Sequence, residues 1–161
     1  MSTINNPQDP VDEKVELLVP AAKGWAIVSF QSVDKEFHLA VDSSNPFSAW
    51  DFFVTVGGVT VAVFSLFQRF PEEKAVRLFN QICKELDEWD VNGSRALEDC
   101  RAFIARSLQG SPGQHSDVTP KDALGMWVLW NIYGRCPSDE EAKPARAIGG
   151  MLEHAFSSWW D

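Results

Sequence analysis

Hydrophobic positions recur with two different periods along this 161-residue chain. Between Lys14 and Phe67 the dominant step is two, and after Pro71 it is three to four, the signatures of half-buried strands and of amphipathic helices. In Glu36-Phe37-His38-Leu39-Ala40-Val41-Asp42, the residues Phe37, Leu39 and Val41 fall on one face, with Glu36, His38 and Asp42 on the other. Trp25 to Val33 reads as a second strand, joined to the first through a turn at Val33 to Glu36. Val15 to Val19, stopped by Pro20, fits a further strand or a short helix. A loop from Ser43 to Ser48 then leads into Val54-Thr55-Val56-Gly57-Gly58-Val59-Thr60-Val61, where β-branched residues flank a Gly-Gly pair. Such a pair supplies the positive φ angles of a two-residue hairpin turn.

Two rival readings stand for Phe52 to Phe67, which carries no charged residue. It is shorter than the roughly 20 apolar residues of a membrane span and is interrupted by the two glycines. A buried hydrophobic helix is the other alternative, since periodicity cannot assign a short apolar run.

After Pro71, Ala75, Phe79, Ile82, Leu86 and Trp89 form one stripe that ends at Asn92-Gly93, and Leu97, Cys100, Ile104 and Leu108 form the next. Thr119-Pro120-Lys121-Asp122 combines an N-cap, a first-turn proline and an acid, a clear helix start. The following run, Ala123 to Tyr133, is nearly all apolar, which predicts a central helix with Met126, Trp127 and Trp130 enclosed. Ser138 and Glu141 make a capping box for the last helix, and Pro144 predicts a kink or restart near Lys143. The expected class is therefore α+β, because strands and helices are segregated along the chain. An antiparallel sheet of four or five strands over 14–67 packs against helices over 72–90, 94–109, 120–133 and 139–160. A single domain spans 13–161, after a disordered tail over 1–12.

Composition narrows the partners more than the chemistry. Seven Trp and eleven Phe promise an aromatic core, and 23 acidic against 14 basic residues give a formal charge of −9. That charge disfavours nucleic acid and anionic lipid and favours a basic protein partner. Cys83, Cys100 and Cys136 are odd in number and lack CxxC spacing, and the first residues lack the basic and apolar regions of a signal peptide. A reducing cytoplasm is expected.

No motif for catalysis, metal or cofactor stands out. His38, His115 and His154 are isolated, with no HxxxH or HExxH spacing. GxSxG and the phosphate-binding glycine patterns are absent, and Asn92-Gly93-Ser94 reads as a turn. Cys136 beside Arg135 is the most plausible nucleophile for an alternative enzymatic reading, with a histidine as the other choice. The favoured reading is a non-enzymatic module of the inhibitor, immunity-protein or chaperone type. Its expected contact residues are Glu85, Asp87, Glu88, Asp90, Glu98 and Asp99 with an exposed Trp160, because acid at a helix C-terminus opposes the dipole and tryptophan is enriched at binding hot spots. A subunit of a larger assembly, membrane-associated through Phe52 to Phe67, is the third reading.

Overall fold

Val54 to Val61 is the middle of one α-helix. The computed structural model describes residues 10–39, 46–109 and 118–161. In chain order the helices are α1 (Pro10–Phe37), α2 (Pro46–Arg69), α3 (Glu72–Trp89), α4 (Gly93–Gln109), α5 (Pro120–Tyr133) and α6 (Ala142–Phe156), with a 3-10 turn at Asp139–Glu141 before α6. No strand occurs among the described residues, so the sheet expected over 14–67 is replaced by α1 and α2 and the class is all-α.

The reason lies in where α2 sits. It contacts all five of the other α-helices, and Val54, Val56, Val59, Ala62, Val63 and Leu66 are fully enclosed. Valine, threonine and glycine each cost roughly 0.5–1 kcal/mol in a helix relative to alanine. Full burial of each valine side chain returns about 1.5–3 kcal/mol, so packing overrides the local preference. A helix also satisfies its backbone internally, which a two-stranded hairpin surrounded by helices would not. Thr60 joins the core because its hydroxyl donates to the Val56 carbonyl at 2.8 Å.

The two glycines serve close packing. Neither has a positive φ. A Cβ at Gly57 would lie 3.0 Å from a Leu152 methyl, and one at Gly58 would lie 2.8 Å from the Phe156 ring, so their absence of side chain lets α6 settle against α2. The 21-residue segment Ala49–Arg69 is long and apolar enough to cross a membrane, but 67% of its apolar window is buried within the fold, as a core helix requires.

The other N-terminal expectations change in the same way. Val15 to Val19 and Trp25 to Val33 both lie in α1, which begins at Pro10, so the anticipated tail loses Pro10 to Asp12. Residues 1–9 and the Ala40 to Asn45 stretch lie outside the described residues. Glu36 and Phe37 end α1, and His38 closes it with a left-handed φ of 51°, a conformation that terminates helices. Along α1 the inward residues Val15, Leu18, Val19, Ala22, Ala26 and Val33 are buried. Asp51 and Thr55 each hold a buried oxygen with no hydrogen-bond partner among the described residues. Burial pushes the Asp51 carboxyl above its usual range, with the Lys23 charge opposing.

The C-terminal half keeps the predicted helical periodicity except at Leu108, which ends the α4 stripe 40% exposed. Thr119 caps α5 as expected, the Asp122 carboxylate makes that cap reciprocal, and Gly134 closes the helix at φ 69°. The expected enclosure of α5 is only partial: Trp127 is 2% exposed but Trp130 is 42% exposed, and Met126 is half-buried. The central helix is α2, whose burial frees one side of α5. Ser138 donates its backbone N–H to the Glu141 carboxylate at 2.7 Å, and α6 starts at Ala142, so Pro144 falls in a first turn where its missing N–H is no loss.

The tightest crossing is α5 on α6. A Cβ at Gly125 would stand 1.6 Å from the Ala145 carbonyl oxygen, and one at Gly149 would stand 1.7 Å from the Lys121 carbonyl oxygen. Backbone cannot yield as a side-chain tip can. Gly125→Ala and Gly149→Ala are each expected to cost about 3 kcal/mol or more in urea unfolding. Gly150→Ala, which meets nothing within 4 Å, is expected to gain about 0.5–1 kcal/mol through helix propensity.

The turn between α5 and α6 carries a pH signature. Arg135 donates to both Glu141 carboxylate oxygens, at 2.8 and 3.1 Å, and this pairing, with the hydrogen bonds from Ser138, holds the Glu141 carboxyl down to about 2 from 4.5. A carboxyl depressed on folding stabilises the fold above its unfolded value and stops doing so as pH falls through its folded one. The contribution is thus complete above about pH 4.5 and lost toward pH 2. Arg135 is half exposed, which keeps the effect small. Unfolding free energies measured across that window should show a shallower decline for Arg135→Ala than for the parent protein.

Candidate functional site

Two adjoining open hollows share Asp99, Trp127 and Asn131. One, about 640 Å³, is bordered by Phe52 and Phe53 of α2 with Arg95 and Glu98 of α4. The other, about 470 Å³, is bordered by Phe103 and Arg106 of α4 with Trp130 of α5. They form one groove where α4 and α5 lie side by side over the start of α2. Its floor is aromatic because the N-terminal turns of α2 bring two consecutive phenylalanines to the same place. Phe53 meets Trp127 edge-on at 5.5 Å, and Phe52 stacks on Trp89 of α3 at 5.5 Å with 16° between planes. Trp130 stands at the far end, edge-on to Phe103 at 5.8 Å.

Asp99 is the polar pivot of this groove. Its Oδ2 accepts the Trp127 indole N–H at 2.9 Å, which fixes the ring as part of the floor. The Asn131 side chain donates to the Trp127 carbonyl at 2.8 Å. Glu98 pairs with Arg101 at 2.9 Å, a half-exposed contact worth at most about 1 kcal/mol.

The remaining acids divide by role. The Asp87 carboxylate accepts the Ser94 backbone N–H and hydroxyl, both at 2.9 Å, and so caps the start of α4. Asp90 accepts the Asn92 N–H at 2.8 Å and orders the turn. Although acid at the end of α3 opposes that helix's dipole, Asp87 and Asp90 thereby serve the start of the next helix. Glu85 and Glu88 make no ion pair or hydrogen bond among the described residues. Of the expected contact residues, the groove unites Glu98 and Asp99, while Asp87 and Asp90 support the turn beside it.

Trp160 lies elsewhere and inside. It is 3% exposed, with its indole N–H donated to the Ala62 carbonyl at 2.8 Å and its ring edge-on to Phe70 at 6.2 Å. The expected solvent-facing Trp160 assumed that the last helix runs on, but α6 ends at Phe156 and the chain turns back. Trp159 instead donates to the Lys14 carbonyl at 3.1 Å. The aromatic that sequence reasoning missed is Trp130. Its signal was Asn131, the one polar residue in the second half of α5 and a mark of that helix's open side.

A smaller cleft of about 290 Å³ lies where α2, α4, α5 and α6 meet, with Phe64, Ile104 and Leu124 among its apolar residues and Lys121 and Glu153 supplying opposite charges. Among the described residues it contains no cysteine or histidine. Among the described residues, no three His, Cys, Asp or Glu converge as a metal ion would need. His115 and the Gly110 to Gly113 segment lie outside the described residues.

The three thiols are free and differ in access. Cys100 is buried, and burial pushes its thiol up to about 12. Burial, followed by the nearby Glu98 and Asp87 charges, also raises Cys83. Cys136 is exposed, its sulfur 3.6 Å from the Pro137 carbonyl oxygen, and no described contact joins a histidine to it. Iodoacetamide should alkylate Cys136 first, Cys83 slowly and Cys100 only on unfolding, as mass spectrometry of the modified peptides will show. Exposure alone produces this order, so it does not mark a nucleophile.

Comparison of this chain with protein-family models, curated proteins and solved structures finds no match.

Proposed function

We propose that the protein is a non-enzymatic binding module that holds a basic segment of another protein in the groove between α4 and α5. The observation that carries this reading is Trp130, a large ring 42% exposed beside a carboxylate and an aromatic floor. Tryptophan in such a setting is a common anchor of binding energy. A fitting segment presents one large apolar side chain to the Phe103 and Trp130 end, with a lysine or arginine next to it for Asp99. Glu85 and Glu88 on α3 and the formal charge of −9 speed the approach of such a partner. Arg95 and Arg106, which also border the groove, are suited to backbone carbonyls or an acidic residue of the same segment. The free thiols accord with a reducing cytoplasmic setting. Occlusion of the partner, as an inhibitor, an immunity protein or a chaperone would do, is the activity this arrangement serves.

The test is capture of a partner from the native host, followed by surface plasmon resonance with purified variants. Trp130→Ala should weaken binding about ten-fold or more, chiefly through faster dissociation, while the urea midpoint stays near that of the parent. Asp99→Asn retains an acceptor for the Trp127 indole and removes the charge, so it should weaken a basic partner without loosening the fold. Reversal of Glu85 and Glu88 to lysine should slow association and flatten its salt dependence. A partner whose affinity is the same for parent and Trp130→Ala overturns the assignment of the groove.

A further inference from the structure

Among the described residues, the outer side of α1 carries a largely apolar stripe that no other element covers. Val28 is 72% exposed, Leu17 52% and Ile27 44%. Pro20, Gly24 and Gln31 are exposed between and beyond them, and Ala21 is half-buried. At 3.6 residues per turn all of these lie within about 60° of Gly24 around the helix. Apolar residues grouped on one exposed face mark an interaction site, whereas scattered ones do not. Among the described residues nothing lies within 4 Å of a Cβ built on Gly24, so a second helix can approach the backbone there.

Charge shows what fits the stripe. Glu13 and Lys35 close its two ends, both exposed and on the same face as Gly24. Among the described residues neither has an ion-pair or hydrogen-bond partner. They stand eleven residues before and eleven after Gly24, about 33 Å apart along the helix at 1.5 Å per residue. The spacing is self-complementary under one operation, a two-fold axis through Gly24. Two antiparallel copies then set Glu13 against Lys35 twice, Leu17 against Gln31, Pro20 against Val28, Ala21 against Ile27, and glycine against glycine at the closest point. A parallel arrangement would instead bring Glu13 to Glu13. An isologous contact is the usual form of a homodimer, and opposite charges at its ends fix orientation.

We infer that α1 is a homodimerisation helix, its occupant the α1 of a second copy packed antiparallel about Gly24. This face is independent of the groove between α4 and α5.

Sedimentation equilibrium of the full chain across the micromolar range should show a reversible monomer–dimer system. Val28→Glu is expected to leave only monomer. Glu13→Lys and Lys35→Glu should each weaken the dimer about ten-fold, since the symmetry inverts two exposed pairs at once, and the double exchange should restore it. Gly24→Cys in a Cys136→Ser background should give a disulfide-linked dimer on mild oxidation, because that position meets itself at the axis. Circular dichroism of every variant should match the parent, and if Val28→Glu misfolds the charge exchange decides alone. A chain monomeric at all these concentrations overturns the proposal. So does a dimer that ignores both the Val28 and the charge substitutions. Binding of the monomer to phosphatidylcholine vesicles, lost in Val28→Glu, overturns it in favour of a lipid surface.

Discussion

The enclosure of α2 is the constraint on which the rest of the structure depends. A helix apolar on every side has no stable position except one covered on every side, and five helices are arranged to provide that cover. The arrangement explains why a run of valine and threonine with strand preference is helical. It also explains why α5, itself nearly all apolar, is left with an open side: only one helix can occupy the middle.

Close approach needs small residues at the crossings and polar ties at the edges. Gly57 and Gly58 admit α6 to α2, and Gly125 and Gly149 admit α5 and α6 to each other's backbone. Four indole N–H groups add directed contacts between elements, with Trp50 donating to Ala26 of α1, Trp127 to Asp99 of α4, Trp159 to Lys14 of α1 and Trp160 to Ala62 of α2. Three of these rings are buried and Trp159 is half-buried, and each satisfies its side-chain donor, a combination that favours tryptophan at such places. The Asp161 carboxylate adds a 2.6 Å contact to Arg69 at the end of α2, so the last turn closes over both α1 and α2.

The surface that remains has two distinct parts. Between α4 and α5 the aromatic floor lies beside Asp99, whose carboxylate both fixes Trp127 and faces the groove. On α1 the exposed stripe is apolar apart from Gln31 and lies between opposite charges. The first is the proposed groove for a partner segment, and the second the proposed face for a second copy. Separation of the acids into those that cap α4 and those that stay unpaired follows from the short Asn92-Gly93 turn, which places the end of one helix dipole beside the start of the next.

By itself the sequence determined the elements whose signals are local. The starts of α5 and α6, the stripe of α3 and α4 and the Asn92-Gly93 break rest on caps, breakers and helical spacing, which act within a few residues. It also determined that no pattern of His, Cys or Ser carries recognisable catalytic spacing. What only the tertiary structure decided was the state of Val54 to Val61, because Gly-Gly between β-branched residues suits a hairpin turn and a close helix crossing equally, and only the neighbours Leu152 and Phe156 distinguish them. The same holds for the tryptophans: the burial of Trp160 and the exposure of Trp130 depend on where α6 stops and which helix takes the centre. Those are properties of packing between segments far apart in the chain, and local periodicity contains no information about them.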